Sequence, residues 1–560
     1  MASQADRELP SRAKQEEKEG DTNAPSKNAL KKAAKEKEKA EKAAKRQELE
    51  QQQKEQAEAN DTAKHLYGPI QSASDRRQTQ GFTELAGLYD AKEDQEVTVD
   101  ARIHNARVQS AKLAFLVLRE EAHTIQAVVA EGGPHGISRQ MVKWCGGINA
   151  ESIVRATGLV KQPKEPVTST SITNFELHIE SIYLISEAAQ MLPVQVKDCM
   201  RAPPMNEEDS KNEPEMDSQG LPVVSLNARL NNRVLDGRTA ANQAIFQLQS
   251  GISNLFIEFM NQNHFTWINS SRLAGAATEG GAGVFEIKYF ETKAYLTQSP
   301  QFFKQMAIAM DMKRVCEIGP VFRAENSNTH RHLTEFTGLD FEMVIKNDYH
   351  EVLSFGEKLM LYIIRNLQER AEFKRLTKVV DQVFPGAGDF KLPSEDSAAR
   401  LTFAEAVKLL NEAGIEAGEF DDLSTPQEKA LGRIMREKYS TDFYTIDKYP
   451  SAVRPFYTMP DPANPQVSNS YDFFMRGQEI MSGAQRIHDY KQLCERMRAN
   501  DPPLDPLSEG FRHYTDAFKY GCAPHGGGGL GLNRILQFYL GLPDIRFATM
   551  FPRDPGRLAP

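Results

Sequence analysis

Five of the six residues in Gly526-Gly527-Gly528-Gly529-Leu530-Gly531 are glycine, and the run leads straight into the apolar spacing Leu532, Ile535, Leu536, Tyr539 and Leu540. That spacing is helical, so the sequence predicts bare backbone feeding a helix, with Asn533 and Arg534 on its first turn. A strand without side chains lets a ligand approach closely, and an arginine on the first turn can reach its phosphates. A flexible loop is the other reading of the same run.

A second polar segment lies far upstream. Phe322-Arg323-Ala324-Glu325 precedes a basic loop, Thr329-His330-Arg331-His332. Arg323 and Glu325 are two apart, so on a strand they look into the same space. Past the loop, Phe336, Gly338, Asp340 and Glu342 keep one parity while Leu339, Phe341 and Met343 hold the other, as in a strand half turned to a core. The result is a hairpin with a polar, glycine-relieved face. Such a face suits ATP: a guanidinium for the phosphates, a carboxylate for the adenine amino group and the Phe336 ring to stack on the base. An Arg-x-Glu triplet alone reads as readily as a salt-bridged surface hairpin; the glycine run changes that balance.

A chain of 560 residues implies more than one domain and ample core. Its formal charge of -9 means that a nucleic-acid partner would be met by local basic patches. Cys145, Cys199, Cys316, Cys494 and Cys522 show no paired metal-ligand spacing, so the expectation is a reduced compartment and no structural zinc. The start Met1-Ala2-Ser3-Gln4-Ala5-Asp6 lacks the apolar stretch of a secretory signal, and Asp6 and Glu8 argue against a mitochondrial presequence. No apolar run is long enough to span a bilayer. The expected location is cytoplasmic, with no membrane partner.

Composition divides the chain into four regions. Residues 1–80 are polar and nearly free of aromatics; within them 27–46 is rich in Lys and Ala, a conditional helix that reads equally as a solvated tail or a phosphate-binding arm. Residues 81–187 hold five β-type runs, around Val97, Leu116, Val128, Val154 and Ile179, which point to a small barrel. On it, Arg107, Phe115, Gln126 and Glu176 are suited in kind to RNA, although Phe115 in such a strand is more often core. Residues 188–238, with Pro203-Pro204 and Pro222, read as a hinge. The large domain, 239–560, opens with a helix whose Ile252, Leu255, Phe256, Phe259 and Met260 form a stripe for the core or a dimer contact. Residues 349–440 read as a mostly helical insertion. The fold class expected is α+β.

With Gln298-Ser299-Pro300-Gln301-Phe302-Phe303-Lys304, Gly338-Leu339-Asp340, Tyr471-Asp472-Phe473-Phe474-Met475-Arg476-Gly477 and Ser482-Gly483-Ala484-Gln485-Arg486-Ile487-His488-Asp489 added to the two nucleotide segments, residues 95–560 closely resemble the class II aminoacyl-tRNA synthetases, in their eukaryotic, fungal-like branch specific for aspartate. The resemblance implies an oligonucleotide-binding barrel ahead of an antiparallel-sheet catalytic domain. It implies activation of L-aspartate by ATP and transfer to the 3′ end of tRNA(Asp) for cytosolic translation, by a homodimer. Arg323 and Arg534 would be catalytic. Glu325, Arg331, His332, Leu333, Phe336, Glu479, Gly531, Leu532 and Asn533 would join them around ATP. Glu279, Ser299, Gln301, Lys304, Arg323, Asp340, Ser482 and Arg486 would bind aspartate, with Arg486 and Lys304 supplying cations for its β-carboxylate. Asp472, Glu479 and Ser482 would hold Mg2+, and Arg107, Phe115, Gln126 and Glu176 would read the anticodon.

Two positions depart from the family pattern: Ser271 stands where a proline usually ends the first motif, and Asn533 where an acid usually precedes the arginine of the third. An asparaginyl or relaxed-specificity synthetase, a catalytically silent relative that binds RNA or a partner, and a non-tRNA ligase on the same catalytic fold are the rival readings, the last leaving the barrel and basic arm without a purpose. Lys304 with Asp340 speaks against an asparaginyl enzyme, and the retained Arg323, Glu325, Arg486 and Arg534 against a silent one.

Overall fold

The five β-type runs close into a barrel in a computed structural model of the chain, which describes residues 61–70, 81–202, 220–221, 223–276, 283–327, 329–393 and 398–560. The lysine-rich stretch 27–46, Pro203-Pro204, Pro222 and the Thr278-Glu279-Gly280-Gly281 loop lie outside the described residues. The chain divides into two compact units, one running to Leu118 and resuming over Ile125–Ala188, the other made of Arg119–Thr124 and Ala189–Pro560.

In the first unit, strands β1 (Tyr67–Pro69), β2 (Glu96–Ser110), β3 (Leu113–Glu120), β4 (His123–Ala130), β5 (Ile153–Lys161) and β6 (Glu176–Ser186) follow the order β1-β6-β4-β3-β2-β5. An added pairing of β5 with β6 closes the ring and removes its edges. Alternation supplies the interior: Ala114, Leu116 and Leu118 of β3 are fully buried while Phe115 between them is half-exposed on the outer face. Phe115 is therefore not a core residue. Helix α1 (Arg139–Gly146) adds Met141, Val142 and Cys145 to the same core, and Ser138 caps it by accepting from the Met141 N–H at 3.1 Å.

The second unit is built on an eight-stranded sheet. Its strands are β7 (Thr266–Trp267), β11 (Arg314–Phe322), β12 (Glu335–Val344), β13 (Ala399–Thr402), β14 (Phe443–Asp447), β15 (Ser470–Met475), β16 (Gln478–Gln485) and β17 (His525–Gly531). A separate small sheet holds β8 (Leu273–Ala274), β9 (Glu286–Tyr289) and β10 (Thr292–Leu296). The large sheet runs β13-β14-β15-β16-β17-β12-β11-β7, antiparallel in the middle and parallel where β13 and β7 join its ends. Helices α2 (Ala240–Gln262), α3 (Gln301–Ala309), α4 (His350–Glu369), α5 (Ala371–Asp381), α6 (Phe403–Glu412), α7 (Thr425–Tyr439) and α8 (Leu532–Leu540) pack around it. Among the described residues no helix is long and apolar enough to cross a membrane.

Hydrophobic burial assigns roles to these helices. The α2 stripe Ile252, Leu255, Phe256, Phe259 and Met260 lies in one core with Leu353, Phe355 and Leu359 of α4 and Leu339 and Phe341 of β12, so the stripe is core. Helix α4 belongs to that core as well, although it falls inside the stretch expected to be an insertion. The later part, β13, α6 and α7, gathers its own cluster of Leu401, Phe403, Leu410, Leu431 and Met435 against Ile446 and Phe474. The end of the expected hinge is also packed: buried Arg233 donates to the carbonyls of Met550 at 2.8 Å and Thr549 at 2.7 Å.

The glycine run is the central strand β17, between β16 and β12. Its lack of side chains makes room for its neighbours. A Cβ on Gly527 would lie 2.1 Å from the Phe341 carbonyl and 2.3 Å from the Glu342 carboxylate, whereas one on Gly531 would be 3.6 Å from Arg534. Gly527→Ala is expected to destabilise the protein by roughly 2–3 kcal/mol through overpacking, and Gly531→Ala by under ~1 kcal/mol, measured by denaturant unfolding.

Candidate active site

Residues from four adjacent strands stand in one row across the large sheet. Asp472 on β15 pairs with Ser482 on β16, Ser482 with Gly529 on β17, and Gly529 with Asp340 on β12. In a parallel row, Gly319, Gly338 and Gly531 are paired in sequence and leave a band of bare backbone. Strand β16 reaches this face with both of its polar residues through a bulge. Its register slips so that Glu479 pairs with Phe474 and Met481 with Phe473, leaving Ile480 as the extra residue. Glu479 and Ser482, three apart in sequence, thereby share one side.

A cavity of about 300 Å³ stands over this face, the size of a small-molecule site. Ser299, Gln301, Arg323, Glu325, Arg331, His332, Leu333, Phe336, Asp340, Glu479, Ser482, Arg486, Gly531, Asn533 and Arg534 all line it. Lys304, Leu532 and Asp472 are close behind but do not line it, and Glu279 is outside the described residues.

One end of the cavity is cationic. Pairing of β11 with β12 stops at Phe322 opposite Glu335, so Arg323 and Glu325 leave the strand into the loop at 323–334, where both still line the cavity. The Arg323 guanidinium lies 5.4 Å from the Phe336 ring centre. Arg534, on the first turn of α8, donates to the Glu479 carbonyl at 3.2 Å. Burial pulls the Arg534 pKa down; Glu479 opposes this, while Arg331 and Arg323 add to it by like-charge repulsion. Three guanidiniums sharing one buried space favour a polyanion there. His332 stands 3.7 Å from Glu325 and 2.6 Å from the Thr329 hydroxyl, and burial holds it below the usual imidazole range.

The other end is a buried set of charges. The Lys304 ammonium donates to Asp340 at 2.8 Å and to the Gly528 carbonyl at 3.3 Å, and lies 3.7 Å from Glu342. Arg486 donates from Nε to Glu342 at 2.9 Å and from Nη2 to the Gly527 carbonyl at 2.9 Å. None of the four side chains belongs to a residue more than 5% exposed. Burial alone would raise the Glu342 pKa, but Arg486 and Lys304 bring it below the ordinary carboxylate range, so it is ionised. Nη1 of Arg486 makes no hydrogen bond among the described residues, and Arg486 lines the cavity. Lys304 sits one layer back, engaged with Asp340. Beside them the Gln301 side-chain nitrogen is buried without a partner.

Between the two ends stands Arg454, which the sequence did not single out. It grips Asp472 through both Nη atoms, at 3.1 and 2.6 Å, and donates to the Ser482 hydroxyl at 3.1 Å. Burial pushes the Asp472 pKa up; Arg454 opposes this and Glu479 reinforces it. Among the described residues no three His, Cys, Asp or Glu side chains cluster as a metal site. Asp472 and Glu479 nevertheless share one face, and their carboxylates are oxygen donors of the kind a hard cation takes.

The two departures from the family pattern have local partners. Asn533 accepts from the Thr337 N–H at 3.2 Å and donates to the Ala548 carbonyl at 3.0 Å and the Thr549 hydroxyl at 2.9 Å. A carboxylate would lose both donations, so the amide ties the first turn of α8 to the segment at 548–549. Beside exposed Ser271, Ser270 and Arg272 both bond Glu317, at 2.7 Å (hydroxyl) and 2.6 Å, so side chains fix the segment where a proline would stiffen it.

The sequence also passed over Glu342 and Glu428. Glu342 shares parity with Asp340 and was visible in that pattern. Glu428, on α7, accepts from Arg331 at 2.9 Å and carries no motif. On the barrel, the Arg107 guanidinium lies 5.6 Å from the Phe115 ring centre and Gln126 donates to Glu176 at 3.1 Å. These four residues occupy the neighbouring strands β2, β3, β4 and β6.

Residues 225–555 match the family described as tRNA synthetases class II (D, K and N). The chain is 47% identical over 504 residues to a cytoplasmic aspartate–tRNA ligase from Homo sapiens, a match spanning 90% of this chain and 96% of that protein. Its fold is similar to that of an aspartyl tRNA synthetase from Entamoeba histolytica, with a TM-score of 0.78 and 40% identity over 88% of this chain and 96% of that one. It is also similar to an asparaginyl-tRNA synthetase from Pyrococcus horikoshii complexed with asparaginyl-adenylate, with a TM-score of 0.67 and 27% identity over 84% and 97% of the two chains.

Arg454→Met removes the counter-ion of a buried carboxylate and is expected to destabilise the protein by about 3 kcal/mol in denaturant unfolding. The double variant with Asp472→Asn is expected to recover at least about half of that loss, because no buried charge is then left unpaired.

Proposed function

The chain belongs to the class II tRNA synthetases (D, K and N), and within that family we propose that it is a cytoplasmic aspartate–tRNA ligase. It activates L-aspartate with ATP and passes it to the 3′ end of tRNA(Asp). The observation that carries this reading is the buried set Lys304, Asp340, Glu342 and Arg486. Its charges balance internally, and it leaves one guanidinium nitrogen on the cavity wall for a substrate carboxylate, beside the three guanidiniums suited to a triphosphate. An amide side chain would gain less from that cation.

The aspartate α-carboxylate attacks the α-phosphorus in line and displaces pyrophosphate, giving aspartyl-adenylate. The terminal ribose 3′-hydroxyl of tRNA then attacks the carbonyl carbon and AMP leaves with the bonding electron pair. The first nucleophile is already ionised, so the protein contributes position and charge and needs no dedicated base for this step. Arg323 holds the α-phosphate against the attacking carboxylate, while Arg331, His332 and Arg534 take the outer phosphates. Glu325 and the backbone at Leu333 recognise the adenine amino group, and Phe336 stacks on the ring. The glycine band, with Gly531 and Leu532, lets the nucleotide lie against backbone.

Arg486 takes the β-carboxylate. Lys304 adds its field from behind and fixes Asp340, which with Gln301 receives the α-ammonium; Ser299, Ser482 and Glu279 complete that end. Asp472, Glu479 and Ser482 would hold Mg2+, which when bound neutralises phosphate charge. On the barrel, Phe115 stacks on an anticodon base and Arg107, Gln126 and Glu176 read base edges. The Lys-rich stretch 27–46 adds salt-sensitive affinity for tRNA phosphates. A second copy of the chain covers the sheet edge at β7, where Trp267 is 48% exposed.

ATP–pyrophosphate exchange with the full-length protein and magnesium tests the reading: exchange with aspartate and not asparagine is expected. Exchange with asparagine, or none from folded protein, contradicts it. Lys304→Met is expected to lower kcat/KM for aspartate at least about 100-fold. Phe115→Ala is expected to raise the KM for tRNA(Asp) about tenfold, as loss of one base stack does, while exchange without tRNA stays within about twofold.

A further inference from the structure

Arg331 does not hang free over the cavity. Its Nη1 donates to Glu428 at 2.9 Å and its Nη2 to the Thr425 hydroxyl at 2.6 Å. Both acceptors lie at the start of α7, in residues 349–440, which carry no recognised site motif. A guanidinium has five N–H donors, so two bonds to α7 fix the plane of the fork and leave three for a ligand.

Helix α7 is itself rigidly seated on the site. A Cβ on Gly432 would fall 2.4 Å from the Gly477 Cα, and one on Gly477, at φ +72°, would fall 2.7 Å from the Glu428 carbonyl. The helix therefore lies backbone against backbone on the turn joining β15 to β16, the strands that carry Asp472 and Glu479. A connected path runs from the turn through α7 to Glu428 and from there to Arg331.

We propose that Glu428 is a positioning residue: with Thr425 it holds the Arg331 guanidinium over the cavity, so that α7 sets how tightly the outer phosphates of ATP are captured. The inference rests on the reading of Arg331 as an ATP ligand. The groups around Glu428 are consistent with a neutral as well as an ionised acceptor. Burial raises its pKa to about 7 and Glu479 adds to the rise, while Arg331 and Arg534 oppose it; burial, joined by the charge of Glu428, in turn raises the Tyr444 phenol. A protonated carboxyl and an amide each keep a carbonyl oxygen for Arg331, so Glu428→Gln preserves the clasp and Glu428→Ala abolishes it.

The test is aspartate-dependent ATP–pyrophosphate exchange by the full-length protein carrying R331A, E428A, E428Q or R331A with E428A, with thermal melts of each. R331A and E428A are each expected to raise the KM for ATP about tenfold and leave the KM for aspartate within about twofold, and E428Q is expected to recover to within about threefold of the parent. The double variant is expected to be no worse than R331A alone, because one effect runs through the other. Losses that add in the double variant, an unchanged KM for ATP in E428A while R331A raises it, or a uniform fall in kcat tracking the melting temperature would each overturn the positioning role and leave the reading of Arg331 intact. An R331A variant with an unchanged KM for ATP would overturn both.

Discussion

Two cations and two anions, Lys304, Arg486, Asp340 and Glu342, are buried together at the centre of the large sheet, and each would cost several kcal/mol if left unpaired. Their pairing requires α3, β12 and the end of β16 to meet over β17, and β17 can lie there only because its glycines leave room for the acids of β12. One electrostatic constraint thus fixes the strand order at the middle of the sheet, the composition of its central strand and the direction in which Arg486 presents its remaining nitrogen. Exchanging a member for an apolar residue would strand its partner, so the set acts as a unit.

The same sheet face serves both ends of the cavity. At one end charge is balanced within the protein, and among the described residues Nη1 of Arg486 makes no hydrogen bond and the Gln301 amide nitrogen has no partner, which favours a small carboxylate. At the other, Arg331 and Arg323 repel Arg534 while Glu479 and Glu428 oppose them, and a polyanion would relieve the repulsion that remains. Arg454 lies between them, bonded to Asp472 and Ser482. On the proposed reading, aspartate and the triphosphate would approach this face from opposite ends of the cavity.

Much of this was legible in the sequence because it rests on local periodicity. The parity of residues 336–343, the glycine run, the five barrel strands and the α2 stripe each obey a short-range rule, and each takes its expected place. What escaped depends on pairing between distant segments. The bulge at Ile480 exists only relative to β15. Arg454 and Glu428 gain meaning from Asp472 and Arg331, far away in sequence. Helix α4 has the pattern of any amphipathic helix, and only its burial beside α2 shows that it belongs to the main core. Phe115 reads as core by composition, but strand parity turns it outward. Asn533 looks like the loss of an acid until its two donated bonds are seen.

The most direct test of the account is a crystal structure of the protein with a non-hydrolysable aspartyl-adenylate analogue. The β-carboxylate is expected within about 3 Å of Arg486, as a charge-assisted bond requires, with Glu342 still paired to the same guanidinium and the adenine against Phe336. A β-carboxylate bound elsewhere in the cavity, or an Arg486 that abandons Glu342 to reach it, would contradict the claim that the buried charge set reads the substrate.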